Sequence, residues 1–555
     1  MDVDAMGSLS KSIMQRPAIY LLIAVVFLAV QPHKFLSRYY FMTHDAFIAI
    51  FFIAVWLGAT YWTPKVNLPQ RTPALRIVLP VAALFTLALW AGTYWLMFDY
   101  PLTRDEHMVV FDAATYAQGK LAEPLPEAWA GYAQAFAPAF LLDTPGFALM
   151  VSGYLPINAA MRGFFGSIAD PALMNPLQIG IGLIALWSIA RRVFPEDAPA
   201  QWLTLVGYCL SAQVLVTSMT VYAMTGHLAL NLVWLALFLK DRWWSHALAM
   251  GVGVLAMGLH QFVFHPLFAG PFVLWLLLQK RWLHVAAYGV VYLAGVGLWM
   301  SWPGIVMDWA GVTPAPGKEG GIASFLTERI LPLITRIEPL TIQLMGYNIV
   351  RGIGWNALFI LPFLLAAGPV LKRRDPIALA LGGGIVLTVL AMAFLLPYQG
   401  HGWGYRYVHG LLGSFCLLAA FGYRELATQE PRWADGAAAL MAAATLLVTL
   451  PANLWSAHQF TKPYTALSDI VEAQGTDFVI VDELVHRNAV DQVRNHADLS
   501  NSPLIFARRF MTKEQIDILC RRGSVAVIGA EEIAQAGMEV APREGEEPLA
   551  ADPCS

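Results

Sequence analysis

The sequence predicts an all-α polytopic membrane protein with about 13 transmembrane helices and a small α/β domain outside the membrane at its C-terminal end. Three observations predict it. Of 555 residues, 57% are hydrophobic and 13% charged, a composition far outside that of soluble domains. Apolar runs of about 20 residues, long enough to cross a bilayer, recur from the N-terminus to about residue 455. Beyond that point short strand-like and helix-like patterns replace them.

The first run follows Lys11 and Arg16 in "MDVDAMGSLSKSIMQRPAIYLLIAVVFLAV", as in a signal peptide. No small-residue cleavage site comes after it, so it is read as a retained span. Further spans are expected at 45–63, 75–98, 171–190, 200–218, 222–240, 245–262, 264–279, 282–303, 353–371, 376–396, 406–424 and 433–452, the first lying at 17–36. The stretch 145–160, "PGFALMVSGYLPINAA", is short and holds two prolines and two glycines. Basic residues favour cytoplasmic loops, and they decide its status. If 145–160 does not cross, the N-terminus, "TPKVNLPQRTPALR", "ARRVFPED", "KDRWW", "QKRW", "LKRRDP" and "YRELATQEPR" all fall inside. If it crosses, most of them become external. The segment is therefore expected to be re-entrant or interfacial, with the N-terminus inside and the C-terminus outside.

That orientation gathers the polar stretches on the external side: loops 99–144 and 304–352, "PYQGHGWGYRYVHG" at 397–410, and the tail. In the tail, "DFVIVD" (477–482), "PLIFARR" (503–509) and "SVAVIG" (524–529) read as strands. "TKEQIDILCRRG" (512–523) reads as a helix with Thr512 as N-cap and Gly523 as stop. The end, "APREGEEPLAADPCS", is polar and expected to be disordered. Four cysteines are too few for a disulfide scaffold; Cys209 and Cys416 lie in apolar runs, and only Cys520 and Cys554 would meet an oxidising compartment. A net charge of -3 without a basic block argues against a nucleic-acid partner.

Among the polar stretches the first is the densest in charge. "MFDYPLTRDEHMVVFDAATYAQGK" (97–120) places Asp99, Arg104, Asp105, Glu106, His107 and Asp112 directly after a span. A carboxylate there can take a proton from an attacking hydroxyl, kept ionised by a basic neighbour such as Arg104. A wet interfacial charge cluster is the plainer alternative. Met108, Phe111 and Gln118 recur at helical spacing up to Gly119, so Asp105 and Glu106 would open a short surface helix.

This acidic pair, the helix after it and the "PG" of "TPGFALMVSGY" resemble the GT-C superfamily of integral-membrane glycosyltransferases, the group of protein O-mannosyltransferases and the lipid A aminoarabinose transferase. The likeness extends over about 75–455: from the span at 75–98, the order of spans and two long external loops matches the family's eleven-span pattern, preceded here by two extra helices in 1–74. The sequence departs from it in reading "DTPG" where "HPPG" or "PPL" is usual, and in having His107 after the acidic pair. The division implied is 1–74, a module at 75–454, and a soluble domain at 455–555.

The resemblance implies transfer of a sugar from a polyprenyl-phosphate carrier to a lipid, glycan or protein acceptor, with inversion, in a bacterial inner membrane with the active loops on the periplasmic side. It makes Asp105 the general base and Glu106 its supporting carboxylate. A leaving phosphate needs cationic donors at the membrane surface; Lys318, Arg329, Arg336, Arg351 and Arg406 are the candidates. His107, Asp112, His401, Trp403, Tyr405 and His409 are candidates for holding sugar or acceptor, the aromatic residues having an interfacial belt as their alternative role. No cofactor is required by the residue pattern. A divalent cation held by Asp105 with Glu319, Glu328 and Glu338 would match some relatives, but no ligand spacing establishes it. His260 and His265 are five apart, which is not a metal-binding spacing on one helix face, and read as interfacial histidines.

Two other classes stay open. A lipid or sugar transporter would place ionisable residues inside the spans, where the sequence shows almost none. A polysaccharide polymerase or ligase would use a polyprenyl carrier with late-loop arginine and histidine, which "HGWGYRYVH" supplies.

Overall fold

The computed structural model describes residues 3–32, 35–136, 140–313, 339–540 and 548–555, with side chains from residue 15 onward apart from that of residue 487. It is a helical, multi-pass membrane protein. In hydrocarbon every backbone N–H and C=O must find a partner within the chain, so long apolar runs become helices.

Helix α1 (Val3–Ala29) packs against α2 (Leu36–Tyr61), and α3 (Leu75–Trp95) follows. Then come α4 (Arg104–Ala117), the two-residue strands β1 (Glu123–Pro124) and β2 (Leu149–Met150), and α5 (Ile157–Gly166), none of them long enough to cross a bilayer. The chain continues as α6 (Pro171–Val193) and a pair, α7 (Ala198–Cys209) and α8 (Ala212–Ser218), bent by 47°. Next are α9 (Met224–Phe238), α10 (Trp243–Met257), α11 (Phe264–Leu278) and α12 (Trp282–Met300). After the undescribed stretch come α13 (Pro339–Gly354), α14 (Ile360–Lys372), α15 (Pro376–Leu395), α16 (Leu412–Gln429) and α17 (Pro431–Glu472).

Six described helices, α2, α3, α6, α12, α15 and α17, are long and apolar enough to cross a bilayer, and the bent pair makes a seventh if it is one span. Helices α9, α10 and α11, each of 15 residues, are about 22 Å long. Residues 145–160 form no spanning helix: they hold a 3-10 turn, β2 paired antiparallel with β1, and the start of α5.

The membrane interior is less free of ionisable groups than the sequence suggests. Asp45 of α2 and Arg351 of α13 form a buried ion pair at 2.9 Å. His265 of α11 bonds Asn231 and the Tyr292 hydroxyl, each at 2.8 Å, and His246 of α10 bonds Tyr288 at 3.0 Å. Each is partnered, which is what lets a polar group persist in an apolar bundle.

The expected boundary at 455 falls inside α17, which continues to Glu472. Beyond it, β3 (Phe478–Val481), β4 (Leu504–Ala507) and β5 (Val525–Ile528) form a parallel sheet in the order β4-β3-β5. Helix α18 (Lys513–Arg522) connects β4 to β5, and α19 (Ala530–Gln535) follows. All residues of β3 and β4 are buried, as crossover connections require of a parallel sheet. Residues 548–555, expected to be disordered, are pinned instead. A disulfide joins Cys554 to Cys520 of α18, and the Leu549 N–H donates to Asp482 Oδ2 at 2.7 Å.

This tail shares a core with the opening loop, the stretch that follows α3. Met108 and Phe111 of α4, Tyr132, Phe136 and Met150 pack with Phe478, Ile480, Phe506, Ile516 and Leu519. Asn495 Nδ2 donates to the Phe136 carbonyl at 3.0 Å, and Arg494 Nη2 to that of Pro101 at 2.6 Å. The opening loop and the tail therefore lie on the same face of the membrane.

Candidate active site

Helix α4 begins with a capping box. The Thr103 backbone N–H donates to Glu106 Oε2 at 3.1 Å, and the Glu106 N–H donates back to Thr103 Oγ1 at 3.4 Å. Two orphan N–H groups are satisfied this way. Neighbours on a helix point about 100° apart, so fixing Glu106 inward turns Asp105 another way. Glu106 is fully buried, and burial pushes its carboxyl up to about 7. Asp105 faces a cavity.

Two groups far away in sequence hold it. Arg406 Nη1 donates to Asp105 Oδ2 at 2.8 Å, and the Tyr154 hydroxyl donates to Oδ1 at 2.7 Å. The His260 ring lies 4.5 Å from that of Tyr154. Burial raises the Asp105 pKa, but the Arg406 charge above all, with the Tyr154 hydrogen bond, outweighs it and leaves the carboxyl below its ordinary range. Burial pushes His260 down to about 4, so it is neutral near pH 7.

Arg406 is delivered by the glycine-rich turn at 397–410. Gly404 has φ +72° and approaches Gln213 so closely that a Cβ would sit 2.2 Å from its Oε1, which only glycine allows. Gln213 Nε2 donates to the Tyr405 carbonyl at 2.8 Å, and the Arg406 N–H donates to Gln399 Oε1 at 3.0 Å.

The cavity measures about 820 Å³, within the range of small-molecule sites. Its walls come mainly from four parts of the chain. Helix α2 and the residue before it bring Phe35, Arg38 and Tyr39, the opening loop Arg104 and Asp105, and the turn His401 and Arg406. The tail adds Asn488, Asp491 and Glu539.

Of the residues expected at a site, Asp105, Arg406 and His401 meet in this cavity. Arg104 does not keep Asp105 ionised: it donates to the Val490 carbonyl and lies 3.7 Å from Asp491, so Arg406 has that part. Asp112 accepts the Ser152 N–H at 3.0 Å and ties the β1–β2 segment to α4. Trp403 packs on Trp355 and His401, Tyr405 is buried against Met345, and His409 is fully buried, all away from the cavity wall. His107 lies against Phe111. Arg351 is enclosed, donating to Asp45 and to the Gly402 carbonyl at 2.9 Å, with Tyr40 over its guanidinium at 4.0 Å. Lys318, Arg329, Arg336, Glu319, Glu328 and Glu338 lie outside the described residues. Among the described residues no group of three or more His, Cys, Asp or Glu side chains is placed to hold a metal ion.

Sequence reasoning missed Tyr154 as a site residue, Arg38 and the tail's contribution. The proline and glycine around Tyr154 signal a turn but give no hint that its hydroxyl reaches Asp105.

No protein-family profile matches the sequence, and no curated protein matches it. Among solved structures the chain is similar to ArnT from Cupriavidus metallidurans in the apo state. The TM-score is 0.46 at 12% identity, over 75% of this chain and 84% of that one. It is likewise similar to the same protein bound to undecaprenyl phosphate, with TM-score 0.49 at 12% identity, over 84% of this chain and 88% of that one.

Proposed function

We propose that the chain is an inverting glycosyltransferase that moves a sugar from a polyprenyl-phosphate carrier to an acceptor hydroxyl, with Asp105 as general base, on the external face of the membrane. The observation that carries this reading is the Asp105 carboxylate. It is ionised by Arg406 at 2.8 Å and set in a cavity whose walls include the end of a membrane helix and a soluble tail. A lipid carrier requires one side of such a site and a water-borne or membrane-borne acceptor the other.

Each carboxylate oxygen accepts one hydrogen bond from Tyr154 or Arg406 and keeps a second lone-pair site. An acceptor hydroxyl that donates there loses its proton to Asp105 as its oxygen bonds the anomeric carbon. The bond from that carbon to the phosphate oxygen breaks, and its electron pair leaves with the phosphate. Proton removal at this step contributes about 100- to 10,000-fold. Arg406 and Tyr154 hold the carboxylate in position, and positioning of this kind is itself a large part of such rate enhancements. The disulfide Cys520–Cys554 in the tail fits an oxidising compartment and hence the external orientation.

The test is transfer from a polyprenyl-phosphate sugar by purified protein, wild type against Asp105→Asn. Wild-type protein that neither binds nor consumes such donors would refute the reading.

A further inference from the structure

In an inverting displacement the base and the leaving phosphate stand on opposite sides of the anomeric carbon. Arg406 touches Asp105, so it stands on the side of the base. The phosphate needs another cation.

Three arginines line the cavity among the described residues: Arg38, Arg104 and Arg406. Arg104 faces Asp491 and Arg406 faces Asp105. Arg38 has no carboxylate partner among the described residues. Its Nε donates to the Gln31 carbonyl and its Nη2 to the Ala29 carbonyl at 3.4 Å. Ala29 ends α1 and Gln31 follows it, and the partial negative charge at the helix end steadies a guanidinium without cancelling it. A third donor reaches the Tyr347 hydroxyl, and of the five N–H donors the remaining two are available for an anion.

The surroundings suit a lipid phosphate. Arg38 sits near the start of a membrane-crossing helix, beside Phe35, Leu36, Tyr39 and Met42 on the cavity wall. Tyr39 and Met42 are exposed, on a helix that meets lipid. An isoprenoid chain can lie along this face while its phosphate reaches the guanidinium, and phosphate binds arginine through paired charge-assisted hydrogen bonds.

We propose that Arg38, on the hairpin of α1 and α2, is the cation that binds the phosphate of the lipid carrier. This rests on the glycosyltransferase reading and adds that the two helices preceding the GT-C-like part of the sequence complete its donor site.

Binding can be measured with a polyprenyl monophosphate, the corresponding polyprenol, and inorganic phosphate as a competitor, each on the full-length protein in detergent. Wild-type protein binds the lipid phosphate. Arg38→Gln, which can still donate to the α1 carbonyls, weakens it roughly 10- to 100-fold, as expected for a lost charge-assisted bond. Arg38→Lys recovers part of the affinity. Polyprenol binding, which reports a folded lipid groove, is the same in all three. Competition by millimolar inorganic phosphate identifies a site for phosphate at large rather than for the lipid, and overturns the lipid assignment. Wild-type affinity in folded Arg38→Gln overturns Arg38. Absence of any lipid-phosphate binding by wild-type protein overturns the glycosyltransferase reading itself.

Discussion

Asp105 and Arg406 are 301 residues apart in the chain, and their side chains meet at 2.8 Å. The contact joins the loop after α3 to the turn before α16, so neither holds the site alone. Asp105→Asn keeps the shape and much of the hydrogen bonding but cannot accept the proton. Sugar transfer is expected to fall roughly 100- to 10,000-fold, with lipid binding retained. A folded variant transferring at the wild-type rate removes Asp105 from the mechanism.

The pH profile reports the same contact from the other side. Burial raises the Asp105 pKa, and Arg406 is the largest influence holding it down. In Arg406→Gln the carboxyl is therefore protonated at higher pH. The base is lost as pH falls through that higher value, and the acid limb of the rate profile moves upward by roughly 1–3 units. A reduced rate with an unmoved acid limb would show that Arg406 acts elsewhere.

Glu106 behaves differently because its carboxylate caps the helix. Burial raises its pKa from the ordinary 4.5 to about 7. Between these values the folded protein holds a proton there that the unfolded chain gives up, so stability falls as pH rises through this window. Glu106→Gln keeps the capping box without the charge. It is expected to melt above wild type at pH 8, to match it at pH 4, and to transfer sugar at a similar rate. Glu106→Ala should lose about 1 kcal/mol with the cap. Thermal melting in detergent and a transfer assay read both.

For Arg351 the expected loss is of stability. Its partner Asp45 and Arg351 itself have side chains only 2% and 4% exposed, and removing one member of such a pair costs about 3–5 kcal/mol. Arg351→Met and Asp45→Leu should each lower the melting temperature, and the double variant should regain much of it. Lipid-phosphate affinity per folded molecule should stay at the wild-type level; a specific fall in Arg351→Met would restore Arg351 as a phosphate ligand.

What could be read in the sequence was local. Hydropathy locates membrane helices because lipid acts on each segment separately. Asp105 with Glu106 marks the start of α4, and "DFVIVD" and "SVAVIG" mark strands, because helix starts and buried strands are set by near neighbours. Asp105 stands out for a similar reason, as a carboxylate just past a span. The contacts of Tyr154 and Arg406 with Asp105, and the place of Arg38 on the cavity wall, arise from packing between distant segments, which no local pattern encodes. The same holds for Arg351: its place beside a span suggests an open mouth, and only the opposing Asp45 of α2 shows that it is enclosed.

The shared core between the opening loop and the tail also sets a timetable for biosynthesis. Met108 and Phe111 emerge early on the ribosome, whereas Phe506, Ile516 and Leu519, against which they pack, are made near the end. Helix α4 must wait beside the translocation machinery for the last part of the chain before its apolar face is covered. A nascent or truncated protein therefore carries α4 without the tail residues that cover part of its apolar face. Maturation of the site is tied to completion of the polypeptide, and an incomplete chain offers its exposed α4 face to quality-control chaperones and proteases.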